Sequence, residues 1–430
     1  MAPWTRRGLI RSGALAGLLP AACRAGGAGT GGADATKVAA PVRIDWAIYD
    51  SPTYREAQAE GAQLYRRKRP NVTFELLGFT DNTKPVTEWL AGAGPHVSMQ
   101  YGTPLVDSGR KGFFVGLDPY VKRDSKDLPM DDYVPFQLQA TTWPAVGRFG
   151  LPMYINIYAL YFNRTIFQRK GVAPPDETWD WAKYQEALLK ASDKEQGVWG
   201  GVIVNAALGS SKLHQNGADV MDERDDRKAA VASPAALEAL QWVHDRLWRD
   251  SSWAQSDVVG KAGFRNSSAM LAGGKLASME NGSGSLADLA KLYPDAAGDW
   301  DIAPLPRQKQ RAARASIDAW VVAKHAPAHD VMWDFLKFLQ TGEYLDAQAR
   351  LAGAQHARIS MQDRYVDLMK RSIPTLADKN VAAFAHAVKH KYARPQAIFR
   401  KDDDAWKILN EAWAATMIRN EQPVPDAFRD

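Results

Sequence analysis

The run LPMYINIYALYF, beginning at Leu151, sets Tyr154, Asn156, Tyr158 and Tyr161 inside eight residues. Side chains alternate between faces in an extended chain, so Tyr154, Asn156 and Tyr158 share one face and Met153, Ile155 and Ile157 the other. Phenols and an amide opposite an aliphatic face suit a strand that lines a crevice. The rings offer flat apolar surface, and the hydroxyl and amide groups offer hydrogen bonds. Tyr161 falls on the aliphatic face and reads as core, whereas Tyr158 fits either setting equally well.

Three earlier segments end in similar chemistry. VRIDWAIYD, NVTFELLGF and HVSMQY read as apolar strands, and they run into Tyr49-Asp50-Ser51, Phe79-Thr80-Asp81 and Tyr101-Gly102-Thr103. The stretches between them, PTYREAQAEGAQLYRRKRP and PVTEWLAGAG, have helical patterns. Strands alternating with helices imply βαβ units, a parallel sheet and a ligand held off the strand C-termini. Turn residues alone would look much the same, and Asp50 fits two roles, ligand partner or helix cap. Farther on, TWDWAKYQEALLKAS reads as a helix capped by Thr178, and SPAALEALQWVHDRLWRD as one capped by Ser233 with Pro234 at its first position. From Ala328 onward the pattern is almost wholly helical.

At 430 residues the chain exceeds one ordinary core, and two domains are expected. A net charge of +5, from 54 basic and 49 acidic residues, lacks the one-sided field of a nucleic-acid binder. Fifteen tryptophans imply recognition surface as well as core. The leader TRRGLIRSGALAGLLPAAC pairs Arg6 with Arg7 ahead of a weakly apolar stretch and resembles a twin-arginine export signal. Cys23, the single cysteine, ends it in a sequence similar to a lipobox, with Pro20 where an aliphatic residue is usual. Lipidation of Cys23 and simple cleavage nearby are both open. Residues 24–40 are Gly/Ala-rich and read as a flexible tether.

Several segments, in order, resemble the extracellular solute-binding proteins of ABC importers, in the carbohydrate-binding branch that includes maltose-binding protein. They are LAGAGPHVSMQYG (Leu90–Gly102, with His96 in place of the usual acid), GFFVGLDPYV, the Leu151 run with APPDETWDWAKY, FRNSSAMLAGGKLASMENGSG, DWDIAPLP and MWDFLKFLQTGEYLDAQARLAG. The resemblance implies an α/β, two-lobe type II periplasmic-binding-protein fold, each lobe a mostly parallel sheet flanked by helices, with three hinge crossings. Residues 1–23 are then the export signal and 24–40 the tether; 41–152 with 280–316 form lobe 1, and 153–279 with 317–430 form lobe 2.

It further implies a sugar held between the lobes. Tyr49, Phe79, Tyr101, Tyr154 and Trp320 are the expected ring platforms, and Asp50, Thr80, Asn156, Asn281 and Asp318 the expected hydroxyl partners. Hinge closure over the sugar, and delivery to the transmembrane subunits of an ABC permease, would be the function. A lipid anchor at Cys23 would hold a monomer in the periplasm or at the outer face of the cytoplasmic membrane. No cofactor, metal or nucleic acid is expected.

Other ligands use the same architecture, among them polyamines, glycerophosphodiesters and peptides. An exported polysaccharide-acting enzyme would instead need two carboxylates flanking the bond, for which Asp50, Asp81 and Asp318 are available. No Gly-x-Ser-x-Gly elbow supports a serine hydrolase. The pairs His325/His329 and His386/His390 have metal-ligand spacing but read as solvated side chains.

Overall fold

Val42–Tyr49 forms β1, and the chain turns at once into a helix, α1 (Pro52–Lys68). Ser51 caps that helix, its hydroxyl accepting from the Tyr54 amide, with Pro52 at the first position. Arg66, Arg67 and Lys68 fill its last turn, where cations complement the helix dipole. β2 (Val72–Phe79) and β3 (Val97–Tyr101) follow, both parallel to β1, and α2 (Gly102–Arg110) leaves directly from β3. The computed structural model describes residues 40–202, 210–255, 263–400 and 402–429. The export signal, the tether up to Ala39 and Cys23 lie outside the described residues.

The first sheet is completed from far away in sequence. In the order β2-β1-β3-β9-β4, β4 is Leu151–Pro152 and β9 is Asp318–Val322, which runs antiparallel to both neighbours. The helices His329–Phe338 and Gly342–Ala352 cover the same sheet, burying Trp333, Phe335, Leu336 and Tyr344 with Trp46 and Trp320. Gly61 lets α1 approach closely there, since a Cβ on it would stand 2.5 Å from the Tyr344 ring.

The second lobe centres on β5 (Tyr158–Asn163), flanked by β6 (Ser278–Gly282) and β7 (Trp300–Ala303). All three run antiparallel to their neighbours, because β6 and β7 each return along β5. Mostly parallel pairing therefore describes β1–β3 but not this sheet. A short parallel pair, β8 (Ala313–Ala315) with β10 (Ala393–Pro395), lies beside it.

These pairings redraw the lobe boundaries. Residues 280–316 contribute β6, β7 and β8 to lobe 2, whereas β9 and the two helices after it belong to lobe 1. The chain crosses between lobes at 153–157, again at 316–317, and a third time near Gln355, whose carbonyl accepts from Ile155 N at 2.9 Å. No crossing falls near Asn281. Two caps also resolve: Asp180, not Thr178, caps the helix Trp181–Ala191, because Thr178 is engaged by Asp176. Ser233 caps Pro234–His244 as its sequence indicates. Trp46, Trp253, Trp300, Trp320 and Trp333 rank among the largest fully buried side chains, so the tryptophan excess serves the cores. Among the described residues, no helix is long and apolar enough to cross a membrane.

Candidate functional site

Four phenols meet one carboxyl where β1 and β3 end and β9 begins. β3 and β9 are antiparallel with Tyr101 opposite Asp318, so the last residue of one and the first of the other reach the same sheet edge. Tyr49 closes β1, and Tyr54 comes back to that edge from the first turn of α1. Tyr154 arrives on the first crossing. The Tyr49 and Tyr54 rings lie 6.5 Å apart edge to face, and those of Tyr54 and Tyr154 6.2 Å apart, tilted. Asp318 accepts hydrogen bonds from the Ser316 hydroxyl and from Tyr154.

The electrostatics follow from burial. Asp318 is 2% exposed, and loss of solvent raises its carboxyl to about 7, against the bonds from Ser316 and Tyr154 and the field of Arg314. Burial likewise pushes the Tyr101 phenol up to about 12 and holds Tyr54 and Tyr154 well above the ordinary phenol value. The edge thus presents neutral hydroxyls on flat rings, with a carboxyl poised between its charged and neutral forms near neutrality.

Asn156 has a different task from its neighbour Tyr154. Its Oδ1 accepts from Gly284 N at 3.0 Å and Ser283 Oγ at 3.4 Å, and its backbone N–H donates to Ser316 Oγ at 3.1 Å. The side chain lies against Gly282, where a Cβ would stand 2.2 Å from Asn156 Oδ1. Asn156 ties the first two crossings to the end of β6.

The other expected residues fall elsewhere. Trp320 shares a strand face with Asp318 but sits two residues deeper, roughly 7 Å at a strand's rise. It is wholly buried, with its ring 5.7 Å from Trp46 and 6.4 Å from Tyr344, so it is a core residue and not a platform. Phe79 is buried in the same core. Asp50 pairs with Arg55 at 2.8 Å and leaves the capping to Ser51, while Thr80 is exposed at the end of β2. Asn281 is fully buried and builds a turn, its Oδ1 accepting from Gly282 N and Ser285 Oγ.

The sequence profile of the bacterial extracellular solute-binding proteins matches residues 27–344. The chain belongs to this family. Curated relatives of this solute-binding protein include binding proteins of Brucella abortus and Brucella suis, 26% identical over 235 residues, 51% of this chain and 54% of theirs. The chain thus spans about half the length of the curated relatives it matches. Solved structures with the same fold include an ABC substrate-binding protein from Listeria monocytogenes in complex with cycloalternan. It is 16% identical with a TM-score of 0.77, covering 90% of this chain and 96% of that one. A solute-binding protein of Thermotoga lettingae bound with α-D-tagatose is 19% identical with a TM-score of 0.72, covering 90% and 97%. A maltose-bound protein of T. maritima is 18% identical with a TM-score of 0.73, also covering 90% and 97%.

Three side chains of this solute-binding protein escaped the sequence reading. Tyr54 was legible in principle, since the first turn after β1 must start at the sheet edge. Arg314 and Gln396 were not, because β8 and β10 meet only in the folded chain. Arg314 donates to the Tyr158 hydroxyl at 2.9 Å and to Gln396 Oε1 at 3.2 Å, so the Tyr158 hydroxyl reaches the interlobe seam while its ring packs on the lobe 2 core. Elsewhere His386 stacks on His390 at 3.9 Å and meets Glu177 at 3.1 Å, an acid that local sequence did not supply. Among the described residues no group of three or more His, Cys, Asp or Glu is arranged to hold a metal ion.

Proposed function

We propose that this protein is the substrate-binding component of an ABC importer and that it captures a saccharide between its lobes. The observation that carries the reading is the convergence of Tyr49, Tyr54, Tyr101 and Tyr154 on Asp318 at the edge where the lobes join. Sugar rings present C–H faces to aromatic planes and hydroxyls to hydrogen-bonding rims, and this edge offers both. The sugars in the fold relatives, cycloalternan, tagatose and maltose, agree with that chemistry. A ligand touching both lobes favours the closed form by its differential affinity, and the closed form is what a permease reads. Export through the leader, lipidation at Cys23 and a monomeric state complete the proposal. Tethering beside the permease would raise the local concentration there.

Binding without turnover is favoured by the fate of the acids. Asp50 is engaged by Arg55, Asp81 accepts from the Thr83 N–H and hydroxyl, and Asp318 is left as a lone carboxyl at the edge. A glycosidase needs two. The test is thermal stability of the purified protein against oligosaccharides, polyols, polyamines and glycerophosphodiesters. A saccharide at a hundred times its Kd adds ~2.7 kcal/mol to native stability and raises Tm. A shift with polyamine alone overturns the sugar, and disappearance of the saccharide on incubation overturns the carrier.

A further inference from the structure

Arg314 stands on β8, just before the crossing that returns the chain to lobe 1. Its hydrogen-bond partners, Tyr158 and Gln396, are both neutral, and its guanidinium lies 5.0 Å from the centre of the Tyr158 ring. Nε of Arg314 is buried and makes no hydrogen bond. Among the described residues no carboxylate lies within ion-pair distance of it. The acid in its field, Asp318, is already bonded to Ser316 and Tyr154.

The place is a seam between lobes. Gln396 reaches across to the start of α2, where a Cβ on Gly102 would stand 2.8 Å from Gln396 Nε2, beside Tyr101 of the phenol cluster. Farther along the seam, Arg110 and Arg400 share a single acid, Asp226, at 3.2 and 3.1 Å. Arg110 keeps Nε and Nη1 buried and unbonded. Cations taken out of water are ordinarily paired with anions, and a guanidinium presents a planar fork matched to a carboxylate or a phosphate. Here one guanidinium has no anion and two others divide one.

We infer that the cargo is an acidic saccharide, whose oxyanion, a carboxylate or a phosphate or sulfate ester, is received by Arg314 in the interlobe seam. This rests on the saccharide reading above and narrows it. The phenols at the sheet edge take the ring faces, and Arg314 supplies the counter-charge from the opposite lobe. An anion bridging the two also rewards closure, since it is paired only when the lobes meet.

The purified protein is incubated separately with four pools: neutral maltodextrins and manno- and xylo-oligosaccharides; uronate oligosaccharides; sugar phosphates and sulfates; and glycerophosphodiesters. Retained molecules are identified by mass spectrometry and their Kd measured by calorimetry. Retention from the uronate pool, or from the phosphate and sulfate pool, is the expected result, and the pool that yields it names the anion. Arg314→Gln should then weaken binding about 30-fold or more with Tm little changed, and Arg314→Lys should restore part of the loss. Wild-type affinity should fall as salt rises.

Retention of neutral saccharides alone, or an acidic one bound within about threefold by Arg314→Gln, overturns the acidic cargo and leaves the sugar reading standing. Glycerophosphodiester alone, or nothing from any pool, overturns both. Should Arg314→Gln fail to fold, the Arg314→Lys variant and the salt titration decide, and a salt-independent Kd for the acidic sugar overturns the inference.

Discussion

The two lobes touch in two ways that differ in kind. At the hinge, Asn156, Ser316 and the Gly282–Gly284 turn exchange hydrogen bonds of 3.0–3.4 Å between neutral groups and backbone, beside a carboxyl that burial raises to about 7. At the far seam, Arg110 of lobe 1 meets Asp226 of lobe 2, with Arg400 on the same carboxylate and the Trp143 ring 4.5 Å from the Arg110 guanidinium. The hinge contacts are part-buried and uncharged, and so indifferent to salt. The seam contacts are charges: Arg110 and Asp226 are largely buried, and Arg400, half-exposed at the rim, is the one that water and salt reach. A protein that must open without coming apart needs that division: a joint that does not let go, and a clasp that does.

The largest expected effect concerns Asp318 and pH. In the unfolded chain its carboxyl titrates near 3.8, and in the folded protein near 7. The folded state holds the proton more tightly, so this group's contribution to stability falls as pH rises from about 4 to about 7, by up to about 4 kcal/mol. Asp318→Asn removes that dependence. Its Tm relative to wild type should climb across this interval, and a flat difference would mean the carboxyl is ionised at the hinge after all.

Next comes Gly282→Ala, which sets a methyl against Asn156 Oδ1. A loss of ~1–3 kcal/mol is expected in denaturant melts, with no dependence on salt. Adding Asn156→Ala should recover much of it, because the two changes share one contact. Strictly additive losses would break the picture of a tight joint.

The seam should respond least. Asp226→Asn is expected to cost ~1 kcal/mol at low ionic strength and somewhat less in high salt, the salt-sensitive part coming from half-exposed Arg400. Small-angle scattering should show the ligand-free variant more open than wild type, most of all in low salt. A loss as large and as salt-independent as that at Gly282 would erase the distinction between joint and clasp.

The amino-acid sequence carried its local features well. Ser233-Pro234 starts a helix as its chemistry indicates, whereas Ser51 and not Asp50 caps α1; Tyr49 and Tyr101 reach the joining edge as strand ends, and Tyr154 reaches it on an irregular crossing rather than on the strand its alternation suggested. What failed was long-range. DAWVV reads as a buried strand, but the apolar run after Asp318 does not declare its partner, and its pairing with β3 moved a whole segment from one lobe to the other. Depth failed as well. Phe79 and Trp320 have the chemistry of platforms, yet the sheet's core takes them, and only the alternation around Asp318 hinted how shallow the edge is. Arg314 and Gln396 face one another because β8 and β10 pair across the intervening chain, a meeting no window of residues contains.

The placement of β9 has a consequence for how this chain is made. β3 waits for a partner that emerges from the ribosome on the order of 200 residues later, with Val97 opposite Val322. Until then β3 has an open edge and the surface awaiting Trp320, Trp333 and Tyr344 lies bare. Contacts of such span are slow to form and leave sticky intermediates. Nascent chains halted before Asp318 should bind holdase chaperones strongly, and release should track the appearance of Val322 and the helices behind it rather than the completion of either lobe's own helices.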